Sequence, residues 1–245
     1  MTPLALPDDS ASLAPKDLGR LVAGHLAQVL PGGQWKVTRD GVRESEGEQT
    51  TDLTLQRSTG SRTGLGVWFY PRLVVRDERL SRWRQQRGRV RGGDAAVLFN
   101  SMLINVSGIK TVELLTGISP RVEPLSPGRI GFEEFEEELV GQVLPNRDHL
   151  RSPLTLRLLP DRWLWNPGPL VEWSVAAGHP ELCWSLIERS VGPDQGRRRP
   201  FLKGVTSGLE GEPSDDTNGL VDLGNLMAQL REHVGSPPAW VADWK

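Results

Sequence analysis

The sequence predicts an α+β protein: a small antiparallel sheet packed against several helices, with a C-terminal helical part. Two runs of alternating or β-branched residues joined by a Gly/Ser-rich turn, within 51–75, predict the sheet. Helical periodicity at 15–30, 132–144 and 220–234 predicts the helices. Of 245 residues, 24% are charged and 37% apolar, an ordinary composition for a soluble globular chain.

Further global features narrow the function classes. The formal net charge of -2 sets up no overall field toward nucleic acid or membrane. The single cysteine, Cys183, excludes a disulfide within the chain and suits a reducing, cytoplasmic setting. The first residues, MTPLALPDDSASLAPKD, lack the basic start and apolar run of a secretory signal. No stretch approaches the roughly 18 apolar residues of a membrane span. Arginine outnumbers lysine, a bacterial-like bias of GC-rich coding.

In chain order, residues 1–14 read as a flexible lead-in rich in Pro, Asp and Ser. From Pro15 a helix runs on, with Leu18, Leu21, Val22, Leu26, Val29 and Leu30 on one face, stopped by Pro31-Gly32-Gly33. His25 lies beside that stripe as a boundary histidine. Gln34 to Arg39 reads as a first strand with Trp35 and Val37 on one face, and 43–50 as a polar surface crossing. In Thr51–Arg57, Leu53 and Leu55 point one way and Asp52, Thr54 and Gln56 the other. Gly64 to Val75 is a longer strand, bent or edge-placed at Pro71, which cannot donate to a ladder.

Asp94 caps an expected helix through Val106, with a strand over 97–106 as the rival reading. Ile109 to Leu115 is β-branched and ambiguous, and 117–131 is a rigid Pro/Gly connection. Phe132 to Leu144 is the clearest helix, with Phe132, Phe135, Leu139, Val140, Val143 and Leu144 on one face. Glu133, Glu134, Glu136, Glu137 and Glu138 crowd its first half, where the helix dipole favours them; they read as a solvated face. Ser152-Pro153 opens a short helix to Leu159. The expected organisation is an α+β domain over 15–191 ending in a helical hairpin, a loop or linker over 192–219, and a C-terminal helix with a Trp-containing tail over 220–245.

The hairpin spans 167–191. Pro169-Leu170, Ala176-Ala177-Gly178-His179, Glu181-Leu182 and Leu186-Ile187 succeed one another there. This pattern resembles the helix pair of an ankyrin repeat, present in one copy and with Val171 where that family carries a histidine. The resemblance implies a surface suited to protein contact. Cys183 lies four residues after His179; among Leu182, Trp184 and Leu186 it reads as a small core residue rather than a nucleophile.

Two groups of residues stand out as candidate sites. Arg76, Arg79, Arg82, Arg84, Arg87, Arg89 and Arg91 fall within sixteen residues against only Asp77 and Glu78, with Trp83 among them. Guanidinium groups clasp phosphates and an aromatic between them stacks on a base, so Arg79, Arg82, Trp83, Arg84, Arg87, Arg89 and Arg91 are the candidates for nucleic-acid or phosphate binding. The same run also suits internal pairing with Glu133–Glu138. Trp163, Trp165, Trp240 and Trp244, in loops and near the C-terminus, are the candidates for protein binding.

No phosphate-binding glycine loop, dinucleotide fingerprint, zinc-protease motif, paired-cysteine motif or nucleophile elbow is present. No cofactor or metal is implied, and no catalytic residue is assigned. The leading expectation is a non-catalytic cytosolic interaction protein: an adaptor, inhibitor or immunity-type partner that binds another protein. The alternative is DNA or RNA binding through 76–91, aided by Arg197–Arg199. A third is an enzyme of a class that leaves no visible motif.

Overall fold

The computed structural model describes residues 4–32, 34–59, 61, 63, 66–88, 94–115, 129–211 and 219–241. Gly64, Arg89, Arg91, Trp244, residues 117–128 of the Pro/Gly connection and 212–218 of the expected linker lie outside them. The fold is α+β. The chain divides into two compact units, one joining Met1–Glu78 to Ala96–Asp148, the other joining Arg79–Ala95 to His149–Lys245. The arginine segment 79–95 is thus grouped with the residues from His149 onward.

In the first unit, α1 (Pro15–Val29) starts on a proline and buries Leu18, Val22, Ala23 and Leu26. Four strands come next: β1 (Lys36–Val37), β2 (Gly41–Glu46), β3 (Gln49–Arg57) and β4 (Gly66–Asp77). Next in sequence, α2 (Glu78–Gln86), grouped from Arg79 onward with the second unit, places Arg79, Arg82 and Arg84 on a helix where a loop was expected. Then come β5 (Val97–Met102), β6 (Thr111–Leu115) and β7 (Arg129–Gly131). The described residues form a seven-stranded sheet in the order β1-β2-β3-β4-β6-β7, with β5 also on β4. It is mixed and not wholly antiparallel as expected, because β7 runs parallel to β6.

Register places Val42, Leu53 and Leu73 in one row, with Leu55 opposite Pro71 and Phe69 opposite Val112. These side chains are buried. A Cβ on Gly19 of α1 would touch Phe69 at 3.8 Å, so the helix rests directly on this face. Pro71 falls where β4 changes partner: Gly66–Phe69 pair with β6 and Arg72–Arg76 with β5. Its carbonyl accepts from the Leu103 N–H, and its missing N–H falls in the gap between the two ladders. The proline thus sits in a central strand without a broken bond.

Three strand expectations are corrected. The polar crossing at 43–50 is largely β2, turning at Gly47 (φ 58°) into β3; its inward Glu44 hid the alternation. The helix expected from Asp94 is β5, whose Leu98 and Phe99 are both buried, so its apolar residues do not alternate and mimic helical spacing. Trp35 and Val37 do not share a face. Trp35 precedes β1 and is buried, donating to the Pro31 carbonyl at 3.2 Å, while Val37 is exposed.

The first unit closes with α3 (Ile104–Ser107), α4 (Phe132–Glu138), a π-helical turn Leu139–Val143 and α5 (Leu144–Asp148).

The second unit is helical. Short 3₁₀ turns at Pro153–Leu158 and Asp161–Leu164 lead to α6 (Gly168–Ala176), α7 (Cys183–Val191), α8 (Gln195–Glu210) and α9 (Gly219–Gln229). Gly178 turns between α6 and α7 at φ 82°, and Pro180 opens the next turn, as the hairpin reading requires. Its core holds Trp163, Leu170, Trp173, Ile187 and Phe201. Residues 195–210 are the correction to the expected linker. Asp194 caps α8 by accepting from the Gly196 N–H at 2.7 Å. Glycines then let α8 and α9 approach until a Cβ on Gly204 would lie 2.0 Å from the Val221 carbonyl oxygen.

Candidate binding site

Three arginines of the run, Arg76, Arg84 and Arg87, have side-chain partners within the protein. Arg76 in β4 and Arg43 in β2 both hold Asp52 of β3, Arg43 Nε donating to Oδ1 at 2.6 Å. That carboxylate raises the Arg43 guanidinium above its ordinary pKa, by its hydrogen bond first and its charge second. Arg84 Nε donates to Glu172 of α6 at 2.9 Å and Nη1 to the Ala95 carbonyl at 2.9 Å. Arg87 lies 4.7 Å from the Trp83 ring and pairs with His233 Nε2 at 2.6 Å. The partners of Arg76, Arg84 and Arg87 are thus Asp52, Glu172 and His233, where the sequence offered Glu133–Glu138. Arg79 and Arg82 are exposed on α2.

The candidate tryptophans separate. Trp163 is core, 1% exposed, and presents no surface. Trp240 packs on Phe201 with ring centres 5.6 Å apart and lies under the Arg198 guanidinium at 4.7 Å, so it docks on its own unit. Trp165 is 49% exposed. It lies just past a 3₁₀ turn that buries Trp163 and Leu164, which leaves its own ring outward.

Trp165 lines a cavity of about 480 Å³ within the second unit. Leu220, Leu223 and Leu226 of α9 form its apolar wall. The α6 backbone abuts that wall, since a Cβ on Gly168 would meet Leu226 at 3.6 Å. Arg197 of α8 and Asp222 of α9 also line it, and among the described residues neither side chain has a hydrogen-bond or ion-pair partner. Glu172 reaches the cavity too, already paired with Arg84. The cavity thus combines an apolar wall and one aromatic with two charges of opposite sign that have no partner among the described residues. Sequence reasoning marked Trp165, named Arg197 only as an aid to nucleic-acid binding because the glycine-rich stretch around α8 read as a loop, and did not single out Asp222.

Three groups of buried titratable side chains lie elsewhere. His25 Nε2 meets Glu136 Oε1 at 2.6 Å across 111 residues of chain. Burial raises the Glu136 pKa, and the hydrogen bond and charge of His25 pull it back only in part. Glu136, 3% exposed at its side chain, is therefore not part of the solvated glutamate face, whereas Glu133, Glu134 and Glu137 are exposed. Arg147 pairs with Glu44 and donates to the Thr51 hydroxyl at 3.2 Å, with Trp35 5.6 Å beneath. Cys183 is buried with its thiol pushed up to about 12 by desolvation, and His179 faces Glu181 at 3.1 Å, so the two do not form a nucleophile pair. Among the described residues no three His, Cys, Asp or Glu side chains gather to hold a metal ion, and no helix is long and apolar enough to cross a membrane.

No protein-family model matches this chain, and no match to it is found among curated proteins or solved structures.

Proposed function

We propose that this is a non-catalytic interaction protein, and that the cavity beside Trp165 receives an apolar side chain from a partner polypeptide. The observation that carries the reading is the half-exposed tryptophan on a cavity walled by three leucines. Tryptophan and arginine dominate interface energetics when they border a pocket that a partner can fill. Arg197 and Asp222 supply the second half of the recognition: the partner segment carries charges of both signs flanking its apolar anchor, and these meet the two groups that have no partner among the described residues. The lone buried Cys183 suits a cytoplasmic adaptor, inhibitor or immunity-type partner.

The test is a photoreactive benzoylphenylalanine placed at Trp165, with the same residue at exposed Leu154 as reference. The expected result is one protein adduct from position 165, absent from position 154 and lost in the Asp222→Arg background. With that partner in hand, Trp165→Ala is expected to cost about 2 kcal/mol or more, at least a ~30-fold weakening. Equal adducts at both positions, or none, overturn the reading. A steeply salt-dependent affinity for oligonucleotides that Arg79→Glu, Arg82→Glu and Arg87→Glu abolish would put nucleic acid in place of the protein partner.

A further inference from the structure

Cations in the first unit differ in how they are compensated. Arg43, Arg76, Arg129 and Arg147 each meet a carboxylate: Asp52 for the first two, then Glu113 and Glu44. Lys16, Lys36, Arg39, Arg57 and Lys110 meet none; among the described residues their side chains have no hydrogen bond or ion pair. Three of these five, Lys16, Arg39 and Arg57, gather at adjoining concavities. A concavity of about 440 Å³ is lined by Lys16, Arg57, Ser58, Thr59 and Ser61. A second, of about 220 Å³, shares Lys16 and Arg57 and adds Arg20 and Arg39, with Asp40 its one carboxylate.

This gathering is built by the fold. Lys16 comes from the first turn of α1, Arg39 from the turn between β1 and β2, and Arg57 from the last position of β3. Arg57 is aimed by packing: its Cδ would be 3.6 Å from a Cβ on Gly19, beside the Phe69 ring. The aliphatic stem lies along α1 and leaves the guanidinium at the concavity. Arg20 is the most compensated member, with Asp17 4.0 Å away. In a chain with 31 acidic residues against 29 basic ones, three cations at two adjoining concavities, none with an ion-pair partner among the described residues and with Asp40 the one carboxylate in the lining, set up a local positive field.

We propose that these adjoining concavities form one anion site, which binds the phosphate group of a small phosphorylated molecule. A phosphate carries close to two negative charges and three acceptor oxygens, which matches two guanidinium forks, an ammonium and the hydroxyls of Ser58 and Thr59. A single carboxylate would leave most of these donors unused. The volumes suit a small molecule and not the face of a folded partner. The site lies in the first unit and does not rest on the Trp165 cavity.

The test is calorimetric titration of the full chain with pyrophosphate and with adenosine monophosphate at constant ionic strength. Saturable binding is expected, weakened at least ~10-fold by Arg39→Gln and by Arg57→Gln, less by Arg57→Lys, and unchanged by Arg157→Gln in the second unit. Arg39, Arg57 and Arg157 are all exposed, so the circular dichroism of each variant should match that of the parent. Absence of binding by the parent at millimolar ligand overturns the proposal, as does binding that ignores both Gln substitutions. If a short oligonucleotide binds more tightly than the mononucleotide and loses affinity with the same two substitutions, the small-molecule assignment falls and the site belongs to a nucleic-acid strand.

Discussion

Replacing Gly204 with alanine is expected to destabilise the second unit by about 2 kcal/mol, against the ordinary rule for helices. In a helix interior alanine is favoured over glycine by about 1 kcal/mol. At Gly204 the new Cβ would lie 2.0 Å from the Val221 carbonyl oxygen and 2.8 Å from its carbon, and both are backbone atoms that cannot rotate away. The neighbouring crossing point is equally tight, since a Cβ on Gly224 of α9 would lie 2.1 Å from the Phe201 carbonyl oxygen of α8. Relieving either contact means moving the helices apart by roughly 1 Å or more, which strips packing from Phe201, Val205 and Met227; overpacking costs about 1–3 kcal/mol, and an approach of 2.0 Å to fixed backbone places this case at the upper end, about 3 kcal/mol, against the propensity gain of about 1 kcal/mol. The internal reference is Gly24→Ala in α1, where nothing lies within 4 Å of the added Cβ and a gain of up to about 1 kcal/mol is expected. Urea unfolding monitored by tryptophan fluorescence reads both, with a gap of about 3 kcal/mol between the variants. If Gly204→Ala were as stable as the parent, α8 and α9 would not cross at this distance, and the wall of the Trp165 cavity would have to be redrawn.

Two more outcomes are expected from buried titratable groups. Burial raises the Glu136 pKa, so the folded chain holds this proton to higher pH than the unfolded chain does; the resulting stability is complete below the ordinary carboxyl value of 4.5 and is lost as pH rises through the raised value. Denaturant midpoints measured from pH 4.5 upward should therefore fall more in the parent than in Glu136→Gln, and parallel curves would remove the buried carboxyl from the account. Cys183, with its thiol pushed up to about 12, should resist an aromatic disulfide reagent at about pH 8 in the native protein and react once denatured; fast native labelling would return it to consideration as a nucleophile.

Local patterns were readable where one face of an element is wet. The α1 stripe, the alternation of β3 and the Phe132–Leu144 face could all be read from the sequence because polar and apolar residues separate cleanly there. β2 was lost because its inward Glu44 is compensated by Arg147, about a hundred residues later, and a strand with a buried ion pair looks like a surface loop. β5 was misread because buried residues on both faces leave no period of two. α8 was missed because its stability comes from glycines that admit another helix, and glycine in a single helix is a breaking signal. The candidate site shows the same division. Trp165 could be singled out as an aromatic in an irregular stretch, but the gathering of Arg197 and Asp222 at its cavity, and of Lys16, Arg39 and Arg57 at adjoining concavities, joins residues distant in sequence and is a property of three dimensions.

The excursion of residues 79–95 into the second unit has a consequence in time. A chain emerging from the ribosome presents α2 long before the residues it is grouped with, because the second unit is completed only by the stretch from His149 onward. Arg84 and Glu172 are 88 positions apart, so at roughly 5–20 residues per second the guanidinium waits about 4–18 s for its carboxylate. For that interval the segment 79–95 has been made without the residues from His149 onward with which it is grouped. Neither half can be released by a single cut: a chain stopped at Asp148 would keep the arginine helix and never make the glutamate that it is built to meet.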